Sequence, residues 1–146
     1  MSATERGFTV GLVGARGYTG AELIRLIERH PSLSLAFVSS RALAGQRIRD
    51  TLEGSSLDLV YEDLDENAVG ARSVDAVVLA LPNGLSQPYV ERIAEDVVIV
   101  DVSADHRFDE DWVYGLTEHF RESIRSAKRI ANPGCYATGA QMAIRP

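Results

Sequence analysis

The sequence has a single cysteine, Cys135, so no disulfide can form within the chain and a reducing compartment is expected. Of its fifteen cationic residues only Lys128 is a lysine, and the formal net charge is −6. So acidic a chain is poor in the basic patches that nucleic acid and anionic membranes select, and neither is expected as a partner. No apolar run approaches the ~20 residues of a membrane span, and Met1–Arg6 lacks the apolar core of a signal peptide. No metal site is expected. What remains is a soluble, cytoplasmic, globular protein of 146 residues, enough for one domain with a sizeable core.

What is present is concentrated between Phe8 and His30: an apolar run, glycines at every third position, then a helical pattern. That order reads as strand, phosphate loop and helix. In a dinucleotide-binding unit Gly14 makes the turn off the strand, Gly17 lets backbone reach the pyrophosphate, and Gly20 allows helix and strand to pack closely. Arg16, Tyr18 and Thr19, interleaved with these glycines, are expected to share the cofactor contact. Thr19 and Glu22 have capping-box spacing, Leu23, Ile24, Leu26 and Ile27 form the buried face, and Pro31 ends the helix. Isolated, a Gly-x-x-Gly-x-x-Gly loop is as readily an ordinary turn. A strand before it and a helix after it favour the cofactor.

Leu33 to Ser40 reads as a second strand, ending in Ser39, Ser40 and Arg41. At this distance past the glycines an acidic residue holds the 2′-hydroxyl of NAD, whereas an arginine accommodates the 2′-phosphate of NADP. Two hydroxyls and a cation predict NADP(H), the alternative being that Arg41 merely opens a solvated loop. Ala42 to Gly54 reads as an excursion with a short helical piece, Leu57 to Tyr61 as a short strand, and Asp65 to Arg72 as a surface connection. Val74 to Leu81 is a continuous apolar run, as in a parallel strand covered on both faces. It ends in Pro82-Asn83-Gly84, at the strand end where open α/β sheets bind ligands, so Pro82 and Asn83 join the predicted cofactor contacts. Ser86 is placed to cap a helix with Pro88 in its first turn and Val90, Ile93 and Ala94 inside.

Val97 to Val102 is the next buried strand. The alternation predicts an α/β fold, a Rossmann-type mostly parallel sheet with helices on both faces. Ser103 onward is charged and aromatic, suited to a loop over a site. Glu118 to Ala127 reads as a short helix and Arg129 to Ala131 as a brief strand. The expected division is a nucleotide-binding unit over 1–132, then a cysteine turn and the start of a helix over 133–146, with a separate substrate domain absent or barely begun.

A lone cysteine is most often a small buried hydrophobe. Cys135, however, follows the turn Asn132-Pro133-Gly134 where a new helix would begin, and a helix N-terminus stabilises the nucleophilic thiolate. A nucleophile beside a hydride carrier implies acyl transfer coupled to redox chemistry.

Gly14-Ala15-Arg16-Gly17-Tyr18-Thr19-Gly20-Ala21-Glu22, Leu79-Ala80-Leu81-Pro82-Asn83-Gly84, Asp101-Val102-Ser103-Ala104-Asp105-His106-Arg107, Tyr114-Gly115-Leu116-Thr117-Glu118 and Asn132-Pro133-Gly134-Cys135-Tyr136-Ala137-Thr138 resemble, in order, the motifs of the N-acetyl-γ-glutamyl-phosphate reductases. The related aspartate-semialdehyde dehydrogenases match the Tyr-Gly-Leu and Asn-Pro-Gly-Cys-Tyr pieces less well. The resemblance implies that Cys135 attacks an acyl phosphate, inorganic phosphate leaves, and NADPH reduces the thioester to a semialdehyde in arginine biosynthesis. Covalent capture divides one hard reduction into two easier steps.

It also implies that Arg107 meets the substrate's phosphate or carboxylate, a role suited to a permanently charged fork; a surface ion pair with Asp105 or Asp109 is the alternative. Three residues depart from the family pattern: Asn83 stands for His, His106 for Phe and Thr117 for Pro. The family is longer than this chain, and its acid/base histidine lies in a substrate domain that would follow residue 146. None of His30, His106 and His119 is assigned that role. A homo-oligomer built through that missing domain is expected.

Two alternatives remain open: an NADP-binding sensor or regulatory module without chemistry, and a sister reductase acting on carrier-linked aminoadipyl phosphate or aspartyl phosphate. A short-chain dehydrogenase would need Tyr-x-x-x-Lys, which is missing here.

Overall fold

The computed structural model describes residues 7–144. Met1–Arg6, on which the reading of the N-terminus rests, and the last two residues of the 133–146 segment lie outside the described residues.

The chain runs β1 (Phe8–Val13), α1 (Tyr18–Glu28), β2 (Leu33–Ser39), a 3-10 turn (Arg41–Leu43), α2 (Ile48–Thr51), β3 (Tyr61–Glu62), α3 (Glu66–Gly70) and β4 (Ala76–Leu79). It continues through α4 (Gln87–Val90), β5 (Val98–Asp101), β6 (Val113–Tyr114), α5 (Thr117–Ser126), β7 (Arg129–Ala131) and α6 (Cys135–Ile144). These strands form one seven-stranded sheet in the order β3-β2-β1-β4-β5-β7-β6, every neighbouring pair parallel. The α/β fold read from the alternation is thus observed, with parallel pairing throughout. Its order reverses between β1 and β4, and the crevice beyond the carboxyl ends there is where such sheets take ligands.

Alternating strand residues feed two cores. Val10 and Leu12 of β1 and Val38 of β2 pack with Ile24 and Ile27 of α1 and with Ile48, while Val13, Phe37, Val77, Leu79 and Ile99 pack with Val69 and Ile93. Burying each of these aliphatic or aromatic side chains contributes about 1.5–3 kcal/mol. Gly11 is required by this packing, because a Cβ there would lie 2.2 Å from the Phe37 ring.

Several local expectations need correction. α1 starts at Tyr18 with Gly17 as its N-cap and no side-chain cap bond, so Thr19 lies inside the helix and makes no capping box. Glu22 instead accepts from Arg25 Nη1 at 2.6 Å. Leu26 is 59 % exposed; the buried stripe is Gly20, Ile24 and Ile27. Asp65 to Arg72 contains α3, capped by the Asp65 carboxylate on the Ala68 N–H at 2.8 Å and anchored by buried Val69. Only Tyr61 of the Leu57 to Tyr61 segment joins the sheet. The rest follows residues 45–49 instead, with Ile48 N–H on Leu59 O at 2.9 Å and Arg49 N–H on Leu57 O at 3.1 Å. Ser86 does not cap α4 with its side chain, and Ala94 is exposed. The Ser103 to Glu118 stretch is not wholly loop: β6 pairs with β7 as an edge strand.

Candidate functional site

Because all strands run the same way, Gly14 after β1, Ser40 after β2, Pro82 after β4, Ser103 after β5 and Asn132 after β7 emerge on one rim of the sheet. Gly14 has φ +83°, and a Cβ there would sit 2.2 Å from Ala80 O, so glycine is demanded both by the turn and by the neighbouring strand end. Gly14 and Ala15 N–H both reach Ser39 O at 3.0 Å. Gly20 lets α1 press on the turn itself: a Cβ would lie 2.7 Å from the Ala15 backbone. Gly17 differs, since nothing stands within 4 Å of a Cβ built on it.

An open position at the uncapped N-terminus of an 11-residue helix fits the anionic bridge of a dinucleotide, which can take the N–H groups that no side chain caps.

A cleft of about 1150 Å³ opens here, lined by Gly14, Arg16, Gly17, Ser39, Ser40, Arg41 and Pro82 among others. The other sequence-predicted cofactor residues behave differently. Tyr18, 97 % exposed, and Thr19 do not line it. Asn83 turns away, its Oδ1 accepting from Ala104 N–H at 2.9 Å. Ser39 Oγ is engaged with Leu64, accepting its N–H at 3.2 Å, which fixes the segment after β3.

That segment brings what the linear sequence concealed. Asp63, Asp65 and Glu66 line the same cleft, and Asp63 Oδ2 stands 3.7 Å from Arg41 Nε. Tyr89, from α4, also lines the cleft. Burial, then the charges of Glu66 and Asp65, hold its hydroxyl above the ordinary phenol range, so it stays protonated and donates to Leu64 O at 3.4 Å.

Further along the rim, Cys135 is the exposed first residue of α6, three strand spacings from Gly14, roughly 14 Å across the sheet. One turn on, Thr138 Oγ1 is buried without a partner. Arg107 lies over the cysteine turn, donating through Nε to Asn132 O at 3.0 Å and through Nη2 to Val102 O at 3.2 Å. A Cβ on Gly134 would be 2.8 Å from its Nη1, so the glycine is what allows the guanidinium to lie there. Neither Asp105 nor Asp109 pairs with it among the described residues.

Asp105 instead gathers Gly84 N–H, Ser86 N–H and Ser86 Oγ. Burial opposes its charge, but these hydrogen bonds outweigh it and hold the carboxyl below its usual range. His106 is 5 % exposed and stacks on Trp112 at 4.0 Å. The signal that could have been read is the spacing Asp101-x-Ser103-x-Asp105, in which the Asp101 and Ser103 side-chain oxygens each accept the backbone N–H two residues on. Among the described residues no group of acidic, His or Cys side chains could hold a metal, and no helix is long and apolar enough to cross a membrane.

A family model described as the semialdehyde dehydrogenase NAD-binding domain matches residues 9–127. N-acetyl-gamma-glutamyl-phosphate reductase of Stenotrophomonas maltophilia is 58 % identical over 142 residues, 95 % of this chain and 45 % of that protein. The chain thus spans less than half the length of that curated relative. Among solved structures, aspartate semialdehyde dehydrogenase II of Vibrio cholerae superposes with a TM-score of 0.73 at 22 % identity, covering 97 % of this chain and 46 % of that one. The Candida albicans aspartate semialdehyde dehydrogenase with NADP gives 0.64 at 16 %, covering 90 % and 44 %. These two likenesses concern the fold.

Proposed function

The chain belongs to the semialdehyde dehydrogenase NAD-binding domain family, and from that premise we propose that it is the nucleotide-binding and cysteine-bearing part of an NADPH-dependent acyl-phosphate reductase. The carrying observation is that the Gly14 to Gly17 cradle and the exposed Cys135 share one rim of a fully parallel sheet. N-acetyl-γ-glutamyl phosphate is the favoured substrate, because the 58 % identical relative is named for it. Residues 1–132 form the nucleotide unit, and 133–146 carry the cysteine turn and the helix leading to a substrate domain. The working protein would be a cytoplasmic homo-oligomer.

A nicotinamide dinucleotide, when bound, supplies a hydride. Gly14, Gly17 and the α1 N-terminus hold its pyrophosphate, and Ser40 and Arg41 meet its 2′-phosphate. The Cys135 sulfur bonds to the acyl carbon while the carbon–oxygen bond to phosphate breaks, releasing inorganic phosphate. Once that carbon has been reduced to the aldehyde level and its oxygen freed of the proton, the carbon–sulfur bond breaks and the thiol is restored. Arg107, with three of its five N–H groups uncommitted to the chain, meets the anionic phosphate.

One observation favours a 2′-hydroxyl instead: Asp63 beside Arg41 would repel a phosphate. The test is paired titration of NADPH and NADH, together with iodoacetamide labelling of Cys135 in the presence and absence of acyl phosphate. Tighter NADPH binding and substrate protection of the thiol are expected. Equal or weaker NADPH binding would reassign the cofactor, and a slow, unprotected thiol would leave a nucleotide-binding module only.

A further inference from the structure

We infer that Ser86, Asp105 and His106 are positioning residues that set where Arg107 stands over the cysteine turn, an inference that rests on the reading of Arg107 as the anion contact.

Two loops that the sequence separates by about twenty residues are stitched at four points. Asn83 Oδ1 accepts from Ala104 N–H at 2.9 Å, Asp105 from Gly84 N–H at 2.7 and 2.9 Å, Asp105 again from Ser86 Oγ at 2.8 Å, and Ser86 Oγ meets His106 Nε2 at 3.1 Å. Gly84, at φ +85°, adopts the left-handed turn that aims its N–H at Asp105.

The protons fix a direction. Asp105 can only accept, so the single Ser86 hydrogen goes to it. His106 Nε2 must therefore carry the hydrogen of the 3.1 Å contact. The same chain continues through Asp105 N–H to Ser103 Oγ at 3.1 Å and from Ser103 Oγ to Asp101 Oδ2 at 2.5 Å, ending on a fully buried carboxylate at the tip of β5.

The groups facing His106 are Ser86 Oγ, the Trp112 ring at 4.0 Å and 7°, and the Asp109 carboxylate 3.5 Å from Nδ1. Phenylalanine here would keep the stack and lose the bond. This chain's histidine therefore adds a tie between the loops. Arg107 is the next residue, and its fork bridges carbonyls at the ends of β5 and β7, beside Gly134 and Cys135. Holding His106 thus holds the backbone from which Arg107 reaches over the cysteine turn.

Trp112, the sole tryptophan, stacks on His106 and serves as reporter. In the whole chain, inorganic phosphate is titrated while Trp112 fluorescence and protection of Cys135 from iodoacetamide are followed. Ser86→Ala is expected to raise half-saturating phosphate about five- to tenfold, since it strips two hydrogen bonds and orphans a buried donor. His106→Phe should raise it about two- to threefold. The double variant should fall short of the product, because removing both partners leaves nothing unpaired. NADPH affinity should not move. His106→Phe preserves the stack, so it answers even if Ser86→Ala does not fold. Unchanged phosphate midpoints in folded variants would make the loop ties merely structural and overturn the inference. No phosphate response in the parent chain, or a response that survives Arg107→Ala, would overturn the reading of Arg107 itself and this inference with it.

Discussion

At the residue scale, the two loop glycines that look alike in sequence face opposite constraints. Gly14 combines a positive φ with a Cβ clash at 2.2 Å, so Gly14→Ala is expected to destabilise the fold by about 2 kcal/mol or more, read as a lowered midpoint in urea. Cys135 is exposed and makes no contact on which the core depends. Cys135→Ser should therefore keep the melting temperature and NADPH affinity while abolishing iodoacetamide labelling and, in the enzyme with its substrate domain, turnover.

Asp105 carries a pH signature. Its carboxyl is held below the usual value near ~3.9, so its stabilising contribution is complete above that value and is lost as pH falls through the lower, folded one. The difference in melting midpoint between the parent chain and Asp105→Asn should hold steady down to the ordinary carboxylate range and shrink only in stronger acid; a difference that shrinks from pH 5 or 6 would contradict the network.

At the element scale, α1 serves the core through Ile24 and Ile27 and the cleft through its uncapped start. The two duties can be separated. Gly17→Asp places a side chain in open space at extended φ/ψ, where aspartate is a favoured N-cap. It should stabilise the chain by about 0.5–1 kcal/mol in thermal melts while weakening NADPH binding more than tenfold, because the carboxylate takes the anion's place. Loss of both stability and binding would show that the helix start is already satisfied. Phe37 is the opposite case, a ring closed over Gly11 with the Arg72 guanidinium 5.5 Å from its centre. Phe37→Ala is expected to cost about 3–5 kcal/mol, lowering the melting midpoint by roughly 10 °C.

On the scale of the whole molecule, parallel pairing is what turns scattered loops into one surface. Binding there should stabilise the entire domain. NADPH at a hundred times its Kd should add about 2.7 kcal/mol, visible as a raised melting temperature that Gly17→Asp suppresses. Because the chain carries a net charge of −6 and the cleft holds Asp63, Asp65 and Glu66, that affinity rests on local N–H groups and two arginines more than on any long-range field. It should fall only modestly between low and physiological salt, a check made by titration at two ionic strengths.

The sequence by itself determined the alternation of the main strands and helices and their order, but not α3 or β6. Continuous apolar runs in the buried strands, a 3.6-residue period in α1 and glycine's freedom at Gly14 are local properties of the chain, fixed before any distant contact forms. For the same reason Cys135 could be placed at a helix start. Where the local signal was a side chain with two uses, tertiary structure decided. Thr19 looked like a cap but entered the helix, since Gly20 must lie inside it to touch the Ala15 backbone. Ser86 looked like a cap but met Asp105, and Asn83 turned to Ala104 instead of the cleft. The acidic wall after β3 and the seat of Arg107 over Gly134 could not be read in advance, because they arise from strand neighbours far apart in the chain, and the order of strands in a sheet is set by packing of the whole.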